Sequence, residues 1–326
     1  MKSFFSGAII AAILFFFAES AFAQLTVYSG RSKALVEPLI EKFEAETGIR
    51  VRVRYGGTTQ LAVALMEEGR RTPADLFWAQ DAGALGAVHQ SRLLASLPDD
   101  IMDSLPEIFR NSDGTWVATS GRARVLAYNT KSEHLPTSLF DLAKPEFRGR
   151  TGWAPANASF QSFVTAMRTI EGEERTRQWL TDMRRNGAVA YNNNSSIIQA
   201  LEAEEIEFGL TNHYYLERVR NIRPNTPVQQ KFFESGNPGN LVNVAGLGVL
   251  NTSSNKSAAL QFVKFMLTED SQRYFLNQVF EYPVITGLGE QDEKLNEILE
   301  VSPDIDLDLL RDLEETLKLL RETGLL

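Results

Sequence analysis

The sequence has no cysteine in its 326 residues. Disulfide bridges, thiolate metal sites, iron–sulfur clusters and cysteine nucleophiles are therefore excluded. Histidine is almost as scarce, limited to His89, His134 and His213. Any transition-metal site would have to be built mostly from oxygen ligands. Basic residues are not in excess: 33 Lys and Arg stand against 42 Asp and Glu, a formal net charge of −9, and no nucleic-acid partner is expected. No biased tract, internal repeat or long Pro/Gly/Ser linker interrupts the chain. With 43% hydrophobic and 23% charged residues the composition is globular, and the length suggests two domains or two lobes.

Long apolar runs are confined to the N-terminus. Residues 1–23 read MKSFFSGAIIAAILFFFAESAFA: Lys2 is the positive n-region, Phe4 to Ala18 the apolar segment, and Ala21-Phe22-Ala23 the small-x-small cleavage pattern. The apolar run is shorter than the roughly 20 residues that span a bilayer. A signal peptide cleaved before Gln24 and an exported, periplasmic protein are expected.

From Leu25 onward strand and helix patterns alternate. Leu25–Tyr28 is a short β run. Lys33–Glu46 reads as a helix with Leu35, Leu39, Ile40 and Phe43 on one face, closed by Gly48. Ile49–Tyr55 alternates apolar residues with Arg50, Arg52 and Arg54, as a half-buried strand does. Thr58–Arg70 reads as a second helix with Thr58-Thr59 as its N-cap, Ala74–Trp78 as a third strand and Ala82–His89 as a third helix. This βαβαβ order predicts a parallel, doubly wound sheet with ligands beyond the carboxyl ends of its strands. Trp116–Tyr128 is strand-rich and suited to carry the chain into a second lobe, and Val242–Leu250 to bring it back. Helices are expected at 160–171, 174–186, 257–267 and 271–280, with an amphipathic tail at 307–320.

Enzyme motifs are missing. There is no GxSxG, GxxxxGK[ST] or HExxH, and no GxGxxG follows a strand; no nucleophile–base set supports a secreted hydrolase. The informative cluster is Leu210-Thr211-Asn212-His213-Tyr214-Tyr215-Leu216. Phenolate is a hard oxygen donor suited to ferric iron, and metal binding can displace the phenol proton. Neighbours in a helix do not share a face, so both phenols can reach one ion only where the backbone bends, at a strand-to-helix junction. Taken alone, such a pair is more often split between core and surface. Ser120-Gly121-Arg122, Asn157-Ala158-Ser159 and Asn192-Asn193-Asn194-Ser195 are polar clusters near expected strand ends, suited to an anion, although each alone reads as an ordinary turn or cap.

Several blocks in order resemble the periplasmic ferric-iron-binding proteins, solute-binding components of bacterial ATP-driven importers. They are LTVYSGRS (25–32), TPADLFWAQDAGAL (72–85), SGRARVLAYNT (120–130), GRTGWAPANASFQSFV (149–164), LTNHYYL (210–216), NPGNLVNVAGLGVL (237–250) and LLRETGLL (319–326). The resemblance implies an α/β, two-lobed periplasmic binding protein fold with the ligand clamped in a cleft by hinge closure. It places the iron-ligating tyrosines at Tyr214 and Tyr215. Residues around a synergistic anion fall at Asn157, Ala158, Ser159, Asn194 and Asn212, with Arg122 in a neighbouring block. Two positions depart from the pattern: Ser32 stands where some members have a His ligand, and Gln80 where they have a Glu. Phe160 stands where another subgroup has a Tyr. Tyr28, Ser32, Gln80 and Asp81 are then the first-lobe candidates for contact, and His213 a supporting hydrogen-bond donor.

The resulting expectation is a non-enzymatic, monomeric binding protein. It carries Fe(III) with phosphate, carbonate or a citrate-like anion to an inner-membrane ABC permease. The alternative is the same class with another small solute, such as a phosphonate, a polyamine or thiamine. The expected lobes are residues 24–122 with 246–296, and 123–245 with 297–326.

Overall fold

The computed structural model describes residues 24–289 and 291–326; the signal-peptide reading of residues 1–23 lies outside the described residues. The chain opens with β1 (Gln24–Ser29), α1 (Lys33–Thr47), β2 (Arg50–Tyr55), α2 (Thr58–Glu68), β3 (Leu76–Ala79) and α3 (Ala82–Gln90). Periodicity explains these elements. Helix α1 buries Val36, Leu39, Ile40 and Phe43, and Gly48 stops it at φ 71°, donating its N–H to Glu44 O at 2.9 Å. Strand β2 alternates half-buried Val51, Val53 and Tyr55 with exposed arginines. The expected Thr58 cap is not made: Gly57 occupies the cap position, and the Thr58 hydroxyl instead accepts the Gln80 N–H at 3.2 Å.

A short α4 (Asp99–Met102) leads to the long β4 (Trp116–Asn129). Then follow β5 (Thr151–Trp153), α5 (Ala158–Glu171), α6 (Glu173–Arg185), β6 (Val189–Ala190), α7 (Asn194–Glu202), β7 (Phe208–Asn212), α8 (His213–Ile222), β8 (Val228–Lys231) and β9 (Val242–Val249). The chain ends with α9 (Lys256–Met266), α10 (Glu269–Tyr274), a π-helical turn at Phe275–Val279, α11 (Gln291–Val301), a 3-10 turn at Leu307–Arg311 and α12 (Leu313–Glu322). The tail is thus broken rather than continuous, because Asp312 leaves helical geometry (φ −79°, ψ 58°).

The fold is the two-lobed α/β arrangement. The strand order is β2-β1-β3-β9-β4-β7-β5-β6, with β8 pairing β4. Strands β1, β2 and β3 are parallel, whereas β9 runs antiparallel to β3 and β4. Strand β4 serves both halves of the sheet: 116–123 pair with β9, and after a register shift between Ala118 and Ser120 its continuation, 124–129, pairs with β7 and β8. Gly246 in β9 permits this crossing, since a Cβ there would lie 2.6 Å from Val117 O.

Two groups of core contacts set the geometry of the cleft. Trp153, Phe160, Phe163 and Trp179 form an edge-to-face aromatic cluster with centroids 5.5–6.0 Å apart, which fixes the start of α5. Ile197, Ile198, Leu201, Ile206, Leu216 and Val228 form a separate apolar cluster that seats α7 and α8 on the sheet. The tail closes the structure: Gly83 and Gly86 of α3 admit the 307–311 turn, with a Gly83 Cβ lying only 2.5 Å from Leu310 O. Asp308 there accepts from Trp116 Nε1 at 2.8 Å and from Asn111 Nδ2. Among the described residues no helix is long and apolar enough to cross a membrane.

Candidate functional site

Strand β7 delivers the tyrosines. It ends at Asn212, still extended (φ −93°, ψ 146°), and α8 begins at His213, so the expected strand-to-helix junction is present. Tyr214 and Tyr215 lie in the first turn of α8 with stacked rings, centroids 4.4 Å apart and 29° between planes. Both line a cleft of about 410 Å³. Burial and the neighbouring Tyr214 push the Tyr215 phenol well above its ordinary value, opposed by a hydrogen bond from Asn194 and the charge of Arg218. The Arg218 guanidinium sits 4.7 Å from the Tyr214 ring centroid.

A second cation supports the pair from the core. Arg124 on β4 is buried; its Nη2 donates to Leu210 O at 3.0 Å, and its Nη1 has no partner among the described residues. It packs against Phe163, 5.1 Å from the ring centroid. Burial lowers its pKa to about 10, while the tyrosine pair would raise it if ionised. The start of α8 also carries the positive end of the helix dipole. At Tyr215 the Asn194 hydrogen bond and the Arg218 charge thus work against a larger cost of burial.

The α5 terminus enters the same cleft. Asn157 caps the helix, accepting from Ser159 N at 3.0 Å and Ser159 Oγ at 2.7 Å. Asn157, Ala158 and Ser159 line the cleft together with Arg122. Arg122 donates to the Gln80 carbonyl and, at 3.5 Å, to Val244 O, and its buried Nε has no partner among the described residues. Asn194 stands behind this group: it is fully buried and donates to Ser159 Oγ at 3.4 Å.

Gln80 and Asp81 line the cleft from the β3–α3 connection. Both Asp81 oxygens are engaged: Oδ1 accepts from Gly83 N at 2.9 Å, and Oδ2 from Ser162 Oγ at 2.8 Å and Asn243 Nδ2 at 2.6 Å. The structure does not bring the other expected residues to the cleft lining. Tyr28 faces away, its hydroxyl donating to the Glu68 carboxylate at 3.0 Å and accepting from Arg54 at 2.9 Å. Ser32 caps α1 without a side-chain bond, and Asn212 is buried beneath the junction. Phe160 belongs to the aromatic cluster. His213 does not serve the phenols: its Nδ1 accepts the Ala123 N–H at 3.2 Å, its ring stacks on Tyr282 at 4.1 Å, and burial lowers its pKa to about 4.

Sequence reading missed the α2 wall (Thr58, Gln60, Val63, Met66), Ser162 and the tail residues Leu310, Arg311 and Leu313, all of which line the cleft. Apolar Val63 and Met66 on an otherwise surface face of α2 were the available signal. Among the described residues no three His, Cys, Asp or Glu side chains gather to hold a metal ion.

Comparisons with known proteins agree with this architecture. The family model described as bacterial extracellular solute-binding protein matches residues 38–297. The chain is 31% identical over 316 residues to the "Fe(3+)-binding periplasmic protein" of Serratia marcescens, covering 95% of this chain and 93% of that one. It is 33% identical over 295 residues to the "Major ferric iron-binding protein" of Neisseria meningitidis serogroup B, covering 87% of each. Iron-bound HitA from Pseudomonas aeruginosa superposes with a TM-score of 0.81 at 32% identity, covering 93% of this chain and 99% of that one. The chain belongs to the bacterial extracellular solute-binding protein family.

Proposed function

We propose that this protein captures ferric iron together with an anion and delivers it to an inner-membrane ABC permease, acting in the periplasm as a binding protein without turnover. The observation that carries the reading is the stacked Tyr214–Tyr215 pair at the start of α8, inside the cleft. Two phenolates supply hard oxygen donors, and Arg124, Arg218 and the helix dipole offset their charge. The names of the Serratia and Neisseria relatives support the same cargo.

The anion has its own place in this reading. The unpartnered Arg122 Nε and the first turn of α5 at Asn157, Ala158 and Ser159 take it up, as phosphate, carbonate or a citrate-like carboxylate. Asn194 holds Ser159 in position. We read the lobes as 24–122 with 246–296 and 123–245 with 297–326, with β4 and β9 as the hinge and the 307–311 turn reaching back from the second to pack on α3 of the first. Closure about it excludes water and strengthens contacts to the cargo.

A visible tyrosinate-to-iron absorption band on adding Fe(III), lost in Tyr214→Phe and Tyr215→Phe, is the expected result. Uptake of Fe(III) without colour or thermal stabilisation would refute the reading. A second reading, an organic phosphonate as cargo, draws on the neutral Gln80 amide in the cleft lining. Arg122 and Arg311 at the cleft suit that anion and disfavour cationic polyamines or thiamine.

A further inference from the structure

The cleft is larger and more apolar than a ferric ion with an inorganic anion requires. At about 410 Å³ it falls in the range of organic ligand pockets. Its α2 and α3 side, with the tail, presents Val63, Met66, Ala84, Ala87, Leu310 and Leu313. Val63 and Met66 are 42% and 39% exposed, which places large apolar side chains in contact with solvent where a ligand could cover them.

The same cleft is poor in metal donors. Among its described lining residues Asp81 is the single carboxylate, there is no histidine, and both Asp81 oxygens already accept hydrogen bonds. Two phenolates leave about four of the positions that an octahedral oxygen-ligated ion fills. The α2 and α3 wall supplies only neutral amides and hydroxyls, from Thr58, Thr59, Gln60 and Gln80. Arg122 and Arg311 make the site cationic, so the missing donors suit an anionic ligand.

Resting on the ferric-iron reading above, we propose that the cargo is an anionic ferric complex of a small aromatic oxygen chelator, such as a catecholate. The chelator supplies the remaining donors. Tyr214 and Tyr215 complete the metal's coordination, and the aromatic body lies on the Val63–Met66 wall, where the Met66 thioether is suited to a ring contact. Arg122 and Arg311 offset the charge of the complex.

The test titrates the purified protein with Fe(III) plus inorganic phosphate, Fe(III)–citrate and Fe(III)–2,3-dihydroxybenzoate, following intrinsic fluorescence. The expected result is that the dihydroxybenzoate complex binds at least tenfold tighter than either other form. A Val63→Ser/Met66→Gln double variant, altered only at half-exposed positions, is expected to lose that advantage and to keep the wild-type affinity for Fe(III) with phosphate. The proposal is overturned if phosphate or citrate complexes bind as tightly as the aromatic one, or if the double variant weakens all three equally. In those cases ferric binding itself still stands. If no ferric form binds the wild type, the ferric-iron reading fails and the proposal fails with it.

Discussion

The Ser162 hydroxyl donates to the Asp81 carboxylate at 2.8 Å, tying the second turn of α5 to the cap of α3 across the cleft. A hydrogen bond to a charged acceptor is worth about 1.5–3 kcal/mol. Ser162→Ala removes it while Asn243 and the Gly83 N–H still hold Asp81. The expected outcome is a shift toward an open form, seen as a larger radius of gyration in small-angle scattering of the unliganded protein and as about tenfold weaker cargo binding. An unchanged scattering profile and unchanged affinity would show that the bond does not hold the cleft.

Arg124 separates the requirements of binding from those of stability. Its guanidinium is buried with one nitrogen unpartnered, and burying a charge without full pairing is costly. Arg124→Met keeps the volume and the packing against Phe163. The unliganded variant is expected to unfold within about 1 kcal/mol of the wild type in urea, whereas ferric affinity falls at least tenfold because the phenolates lose their buried counter-charge. Parallel losses in both measurements would contradict this.

Arg31 and Glu281 form a buried bidentate pair at 3.0 and 2.8 Å, joined by Ser120 Oγ at 2.5 Å. Burial opposes ionisation of Glu281, but the charges of Arg31 and Arg122 and the hydrogen bonds from Arg31 and Ser120 hold its pKa below the ordinary value. A carboxylate lowered in the folded state stabilises fully above its unfolded pKa of about 4.3. That contribution disappears as pH falls through the lower folded value. Stability should therefore fall below about pH 4.3. Glu281→Gln should lose this component of the acid dependence and cost about 3–5 kcal/mol at neutral pH, because Arg31 is left buried and uncompensated. Urea unfolding at a series of pH values checks both statements.

Gly83 is required by contact rather than by backbone conformation. A Cβ there would stand 2.5 Å from Leu310 O and 2.9 Å from Leu310 C, both main-chain atoms. Gly83→Ala should push the 307–311 turn off α3 at a cost of about 1–3 kcal/mol. Hydrogen exchange should then rise in residues 307–311, while the Tyr214–Tyr215 region keeps its protection.

The first βαβαβ segment was legible because α1 and β2 each show one apolar face with a simple period, and β1 and β3 are short apolar runs buried on both faces. The Tyr214–Tyr215 pair stood out through the resemblance of LTNHYYL (210–216), since the dipeptide alone reads as split between core and surface; the junction of β7 and α8 brings both rings to one cleft. Tyr28 misled because a strand-end tyrosine does not reveal which partner takes its hydroxyl; Glu68 and Arg54 arrive from α2 and β2. The tail reads as one amphipathic helix because its apolar spacing continues through Asp312. Only the tertiary fit of Asp308 against Trp116 and Asn111 explains the separate 3-10 turn. The α2 wall went unseen because exposed apolar residues on a helix acquire meaning only when another element creates a cleft around them.

The pairing of Leu76 with Val249 also governs the order in which the chain can fold. Strand β3 must wait for a neighbour some 170 residues further along the sequence, and until β9 arrives its open edge is a template for pairing with other chains. Such distant closure is slow to form. An emerging chain that lacks Val242–Val249 therefore presents an unfinished sheet, with β3 open along the edge that β9 later covers.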